Sequence, residues 1–228
     1  MKKLILLAFL FSLVSCEEVL IEENSRIQVK GTLSSPQNSS VSGIHIFSAG
    51  TFENTLGPNT DKILGRTVSA ENGSFDFISL DTYSHDLLFA VNPEGIDHNA
   101  EYSSLYFFDP RGEHAQMYDL GDLQLAKKVE FNLNIERTSQ SQDTLRYVLD
   151  YQKPVRRFIY ENGNFTEQPD NDNFISIRRH LPESEALTLN FPIMGATELI
   201  FSYSLGDDPL QQVAIPINTE NTSYDFEY

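Results

Sequence analysis

The chain has no tryptophan and a single cysteine, and its 33 acidic residues face only 16 lysines and arginines. Each shortage excludes something. One cysteine cannot close an internal disulfide, so stability must come from a buried core, which 228 residues are enough to supply. Without indole, a sugar-binding platform loses its largest stacking face. Ten tyrosines remain, and tyrosine alternating with phenylalanine more often builds core. A formal charge of −17 repels phosphate backbones and anionic headgroups, which argues against nucleic acid as a partner.

Long apolar runs are also scarce. Leu4 to Val14, broken only by Ser12, falls short of the roughly 20 residues that a spanning helix needs. Behind Lys2 and Lys3 it reads as the apolar region of a secretory signal peptide covering residues 1–15. Leu13-Val14-Ser15-Cys16 closes it and resembles the lipobox of bacterial lipoproteins. That resemblance implies a diacylglycerol on the Cys16 thiol, cleavage before it, and acylation of the freed amine. Cys16, the one cysteine, stands where lipidation requires it. Each buried methylene contributes about 0.8 kcal/mol, so two or three acyl chains hold firmly where one binds only reversibly. Removing the leader takes Lys2 and Lys3 and no acid, leaving the exported chain more acidic still.

Residues 16–25 read as a lipidated acidic tether, carrying Glu17, Glu18, Glu22 and Glu23. Its acids resemble surface-export signals of some Gram-negative lipoproteins, and a plain solvated tether is the other reading. Glu17 is not the aspartate that commonly signals inner-membrane retention. The expected location is therefore the outer membrane, with surface and periplasmic faces both open.

From about residue 26 onward, short strand-like runs alternate with turn residues, and no stretch keeps a helical apolar period. The class is all-β: two tandem Ig-like or prealbumin-like β-sandwiches, over residues 26–125 and 126–228. In the first, Glu71-Asn72-Gly73-Ser74 between Gly65–Val68 and Phe75–Phe77 carries a hairpin signal. Leu87–Val91 and Ser104–Phe108 read as buried strands, ended by Pro93 and Pro110. In the second, Val129, Phe131, Leu133 and Ile135 alternate with polar residues. A hairpin is expected through Phe158–Tyr160 and Asn162-Gly163, and Tyr224, Phe226 and Tyr228 suggest a docked last strand. All lysines and arginines of this half lie between Lys127 and Arg179, whereas acids run from Glu183 to Glu227, so early and late strands are expected to pair.

Residues of about 26 to 125 resemble the carboxypeptidase regulatory-like, prealbumin-type β-sandwich family. Val29-Lys30-Gly31, Val41–Ile46, the segment Thr67–Phe77 and Asp119–Leu125 carry the resemblance. It implies a folding, spacing or interaction module and brings no catalytic residues. The departures are the long stretch from Gly50 to Lys62 and the crowded aromatics around Tyr106.

Motifs that carry chemistry are few. There is no G-x-S-x-G, and the histidines at 45, 85, 98, 114 and 180 lack H-E-x-x-H spacing. His85-Asp86 and Asp97-His98 read as two exposed polar pairs that would make a site only by meeting across loops. Asp170-Asn171-Asp172-Asn173 has oxygen donors suited to calcium, without the glycine and glutamate of an EF-hand loop. Asp207-Asp208 before Pro209 reads as another turn. Asp143-Thr144-Leu145 matches a periplasmic O-glycosylation pattern, which would make Thr144 the acceptor. No catalytic residue, cofactor or metal is assigned. The expectation is a non-enzymatic, lipid-anchored cell-envelope protein acting as a binding or structural module, with an unidentified envelope protein or glycan as partner. A carbohydrate-binding surface lipoprotein is the alternative, and an envelope hydrolase with a carboxylate site is a third.

Overall fold

The structure is a computed structural model, which describes residues 19–52, 60–95, 97–140, 142–168 and 173–228. The leader, Cys16, part of the Gly50–Lys62 stretch and the Asp170–Asp172 loop lie outside the described residues. Among those described the chain is all-β, without a helix.

The first half forms β1 (Arg26–Ser34), β2 (His45–Phe52), β3 (Thr60–Val68), β4 (Ser74–Leu80), β5 (Asp86–Val91), β6 (Ser104–Asp109) and β7 (Met117–Gln124). The second half forms β8 (Lys128–Glu136), β9 (Leu145–Gln152), β10 (Val155–Glu161), β11 (Asn164–Glu167), β12 (Asn173–His180), β13 (Leu187–Met194), β14 (Glu198–Leu205), β15 (Gln211–Pro216) and β16 (Ser223–Glu227).

The two halves repeat one topology. In the first, β1 lies between antiparallel β4 and parallel β7, facing strands ordered β6-β5-β2-β3. In the second, β8 lies between antiparallel β13 and parallel β16, facing strands ordered β12-β9-β14-β15. The match runs strand for strand once β10 and β11 are set aside. Alternation explains the inner faces: Ile27, Val29 and Leu33 of β1 are buried, as are Val129, Phe131, Leu133 and Ile135 of β8. Gly31 sits among them because a Cβ there would lie 2.7 Å from the Phe75 ring that crosses the strand.

β10 and β11 break the expected division at residue 126. They come from the second half but extend the sheet of the first, with β10 parallel to β6 from Val155↔Ser104 to Ile159↔Phe108. The physical reason is aromatic. Phe158, Tyr160 and Phe165 pack against the first core, among Phe107, Phe89 and Tyr118. The hairpin itself forms where Asn162-Gly163 was expected to turn it, with both residues at positive φ (53° and 85°).

The Asn72-Gly73 turn has a different outcome. It is tight, and Gly73 has φ 80°, but β3 pairs with β2 while β4 pairs with β1. The turn is therefore an arch between the two sheets rather than a hairpin within one. Phe75 and Phe77 are buried as expected.

The tether is more than solvated chain. Val19 is buried over Gly50, and the Glu22 N–H donates to the Asp81 carbonyl at 2.9 Å. Buried Val19 and the hydrogen bonds of Glu22 and Ser25 to Asp81 together dock residues 19–25 on the first sandwich. Early and late strands of the second half do pair, β9 with β14 and β8 with both β13 and β16. The ion pairs Lys128–Glu130 and Arg156–Glu167 nevertheless join residues within the basic stretch itself.

Candidate functional site

Among the described residues, those singled out in the sequence do not converge. His85 is fully buried rather than exposed, with Nδ1 2.6 Å from Ser84 Oγ. Asp86 accepts the Arg111 N–H at 2.7 Å. Asp97 faces His45 at 3.7 Å, and His98 Nδ1 donates to the Asn92 carbonyl at 3.1 Å. These two pairs make no common site. Thr144 precedes β9 and is half-exposed, and Asp207-Asp208 forms the exposed turn between β14 and β15. Among the described residues no cluster of histidine, cysteine and acid side chains is arranged to hold a metal ion.

A buried polar network forms instead where the tether meets the first sandwich. His114 Nδ1 donates to Asp81 Oδ1 at 2.8 Å, and Ser25 Oγ donates to Asp81 Oδ2 at 2.9 Å. Nearby, the Tyr118 hydroxyl donates to Asp109 and accepts the Ala115 N–H. Burial pushes the Asp109 carboxyl above its ordinary value, and burial with the Asp109 hydrogen bond pushes the Tyr118 phenol up. An Asp–His pair is half of a hydrolytic triad, but His114 Nε2 is buried without a hydrogen-bond partner. Through Asp81 the pair ties the His114 loop to Ser25. Its members lie 33 residues apart, so local spacing carried no signal of it.

Two of the concavities among the described residues bear on function. The larger, about 760 Å³, lies over β1, β4 and β7 and is polar. Its acids are already engaged: Asp119 with Lys30 at 3.1 Å, Asp122 with the Thr32 hydroxyl, and Asp76 with Gln28 at 3.0 Å. The Lys30 ammonium holds the Asp119 carboxyl below its usual value.

The second, about 350 Å³, is built by β2, β5, β6 and β10 together, so both halves of the chain contribute. Leu88, Tyr106, Phe108 and Val155 make its floor, with Asp86, Glu94 and Arg157 at its rim. The Tyr106 hydroxyl accepts the Glu94 N–H at 3.3 Å, which holds the ring in place. This groove combines an aromatic floor with rim charges, which suits recognition rather than bond breaking. The aromatics crowded around Tyr106 in the sequence thus have a place on the surface.

No family model matches the chain, and no curated protein matches it. Among solved structures it is similar to a streptococcal ancillary pilin at 9% identity and TM-score 0.30, covering 90% of this chain and 63% of that one. The minor pilin GBS52 of Streptococcus agalactiae is matched at 9% identity and TM-score 0.31, over 89% of this chain and 94% of that one. The shaft pilin SpaA of Lactobacillus rhamnosus GG is matched at 8% identity and TM-score 0.29, over 89% and 96%. The chain thus spans less than two thirds of the ancillary pilin. Scores this low carry nothing about role.

Proposed function

We propose that the chain is a non-enzymatic, lipid-anchored module of the bacterial cell envelope, held to the outer membrane at Cys16. In this reading the two sandwiches act as one body that presents a binding surface to an envelope partner. The observation that carries it is the hairpin of β10 and β11, which belongs to the second half by sequence and to the first sheet by hydrogen bonding. A force or ligand acting on one sandwich is thereby transmitted to the other without a flexible joint. Ser103 and Ser104 donate to the carbonyls of Ala126 and Pro154, and Lys127 pairs with Glu101 at 2.9 Å, which ties the same junction.

The anchor is tested by growing cells with an alkyne-bearing fatty acid. The native chain should take up label and sediment with the outer membrane, and Cys16→Ser should be unlabelled and released. An unlabelled, soluble native chain refutes the reading. Protease treatment of intact against lysed cells then separates the surface face from the periplasmic one.

The aromatic groove favours one particular partner class within this reading, a glycan stacked on Tyr106 and Phe108 with hydroxyls reaching Asp86 and Glu94. Tyr106→Ala should then abolish retention on the glycan column that holds the native chain.

A further inference from the structure

We propose that the second sandwich accepts a partner protein's β-strand along β15, in parallel, as the first sandwich accepts β10 along β6. The inference adds a protein partner, at an edge separate from the aromatic groove, to the binding module proposed above, and rests on that reading.

Topology carries the first step. β6 and β15 occupy the same position in the repeated sandwich, each at the end of the facing sheet beside its last-but-one neighbour, β5 or β14. β6 is completed by β10. Among the described residues β15 pairs with β14 alone.

The edge itself can form a ladder. The Ile217 N–H donates to Thr197, and the β14–β15 register continues through Leu199↔Ile215 and Phe201↔Val213. Alternation along an antiparallel pair then turns the N–H groups of Gln212 and Ala214 away from β14. Both residues are exposed. Pro216 offers no N–H, so an added strand stops short of it.

The side chains beneath the edge point the same way. In the first sandwich the flank between β6 and β7 is closed by Phe158, Tyr160 and Phe165 of the added hairpin. At the matching flank of the second, Tyr203, Val213 and Tyr224 remain only half-buried on the core around Phe201 and Phe226. An apolar layer partly uncovered beside an open ladder is the arrangement that strand addition uses.

Charge selects the occupant. No lysine or arginine follows Arg179, while Asp207, Asp208, Glu220, Asp225 and Glu227 lie on β16 or in the turns beside β15 and β16. The fitting strand joins basic residues to aromatic ones. The donor hairpin of this chain has that character, in Arg156-Arg157-Phe158-Ile159-Tyr160.

A dye-labelled peptide of residues 153–168 is therefore the probe, added to the full chain, in which β6 is already occupied. Fluorescence anisotropy should show saturable binding that weakens with salt and falls at least tenfold in Ala214→Pro. The same peptide N-methylated at Phe158 should also lose at least tenfold, because that N–H faces the accepting strand; this arm leaves the protein unaltered. No saturable binding at millimolar peptide, or equal binding by Ala214→Pro and the native chain, overturns the proposal. Self-association of the chain without peptide, lost in Ala214→Pro, also overturns it, in favour of a second copy as occupant. Fatty-acid labelling at Cys16 is independent of these results, so failure here is distinguishable from failure of the anchor.

Discussion

Phe158 lies stacked on Phe107, with ring centroids 4.5 Å apart and planes 11° from parallel, although the two come from opposite halves of the chain. Arg156 completes the layer, its guanidinium 5.2 Å from the Phe158 centroid and bonded through Nε and an Nη to Glu167 at 2.6 and 2.7 Å. The hairpin is thus held on one face, by rings packed on the first core and by an ion pair across its own strands on the same side.

Phe158→Ala should loosen that hold. A fully buried Phe→Ala change costs about 3–5 kcal/mol, and Phe158 is only half-buried, so a loss of about 2 kcal/mol is expected. The more telling readout is cooperativity. Calorimetry should show one transition for the native chain and two partly resolved transitions for the variant, since the sandwiches share the hairpin. A single transition, unshifted, would mean that the stack contributes little to the junction.

Asn92 makes a second test, in the loop that leads to β6. It is fully buried at φ 53°, its amide donates to the carbonyls of Asn99, Tyr102 and Ser103, and its Oδ1 accepts the Asn99 N–H. Asn92→Ala strands several of these groups and puts an alanine at positive φ, which together should cost about 3 kcal/mol in urea unfolding. Asn92→Gly relieves the backbone and not the amide, and should recover only part of the loss. Full recovery by glycine would assign the residue's role to φ alone.

These two residues mark what sequence can and cannot reveal. The strand around Phe158 was legible as a short apolar run, and its turn from Asn162-Gly163, because both signals are local. The sheet that the hairpin joins was not legible, since parallel pairing with β6 spans half the chain and depends on where aromatic surface is left open. The same limit explains the Asn72-Gly73 arch: turn chemistry is local, whereas the choice between one sheet and two is made by packing. Nothing in the sequence singles out Asn92, whose partners Asn99, Tyr102 and Ser103 meet it only in the folded chain. The Asp81–His114 and Asp109–Tyr118 pairs were equally silent, whereas the crowding of aromatics at Tyr106 was visible in the sequence.

Tyr147 offers the reverse kind of prediction. Its ring is buried beside Phe201, and its hydroxyl has no hydrogen-bond partner. Burial alone is the largest cause lifting its phenol above the usual value. An unsatisfied buried hydroxyl costs about 1–3 kcal/mol, so Tyr147→Phe should stabilise the chain by about 1 kcal/mol, or roughly 2–4 °C in Tm. A loss of stability would show that the hydroxyl finds water in solution.

Asp109 predicts a pH dependence of defined sign. Burial is the main cause raising its carboxyl, reinforced by Asp81 and Asp86 and opposed by the Tyr118 hydroxyl and His114. With the folded-state value above the unfolded one, the folded chain holds the proton more tightly. The contribution is complete below the ordinary aspartate value of about 4 and is lost as pH rises through the raised value. Asp109→Asn keeps an oxygen for Tyr118 and does not titrate. Its urea stability relative to the native chain should therefore improve as pH rises from about 4 through the raised value. Asp119 and Glu167, held low by Lys30 and Arg156, bias the native chain in the opposite direction, but they are common to both proteins and cancel in the difference. A difference that stays flat, or shrinks toward neutral pH, would show that Asp109 is ionised in the fold and that the Tyr118 hydrogen bond outweighs its burial.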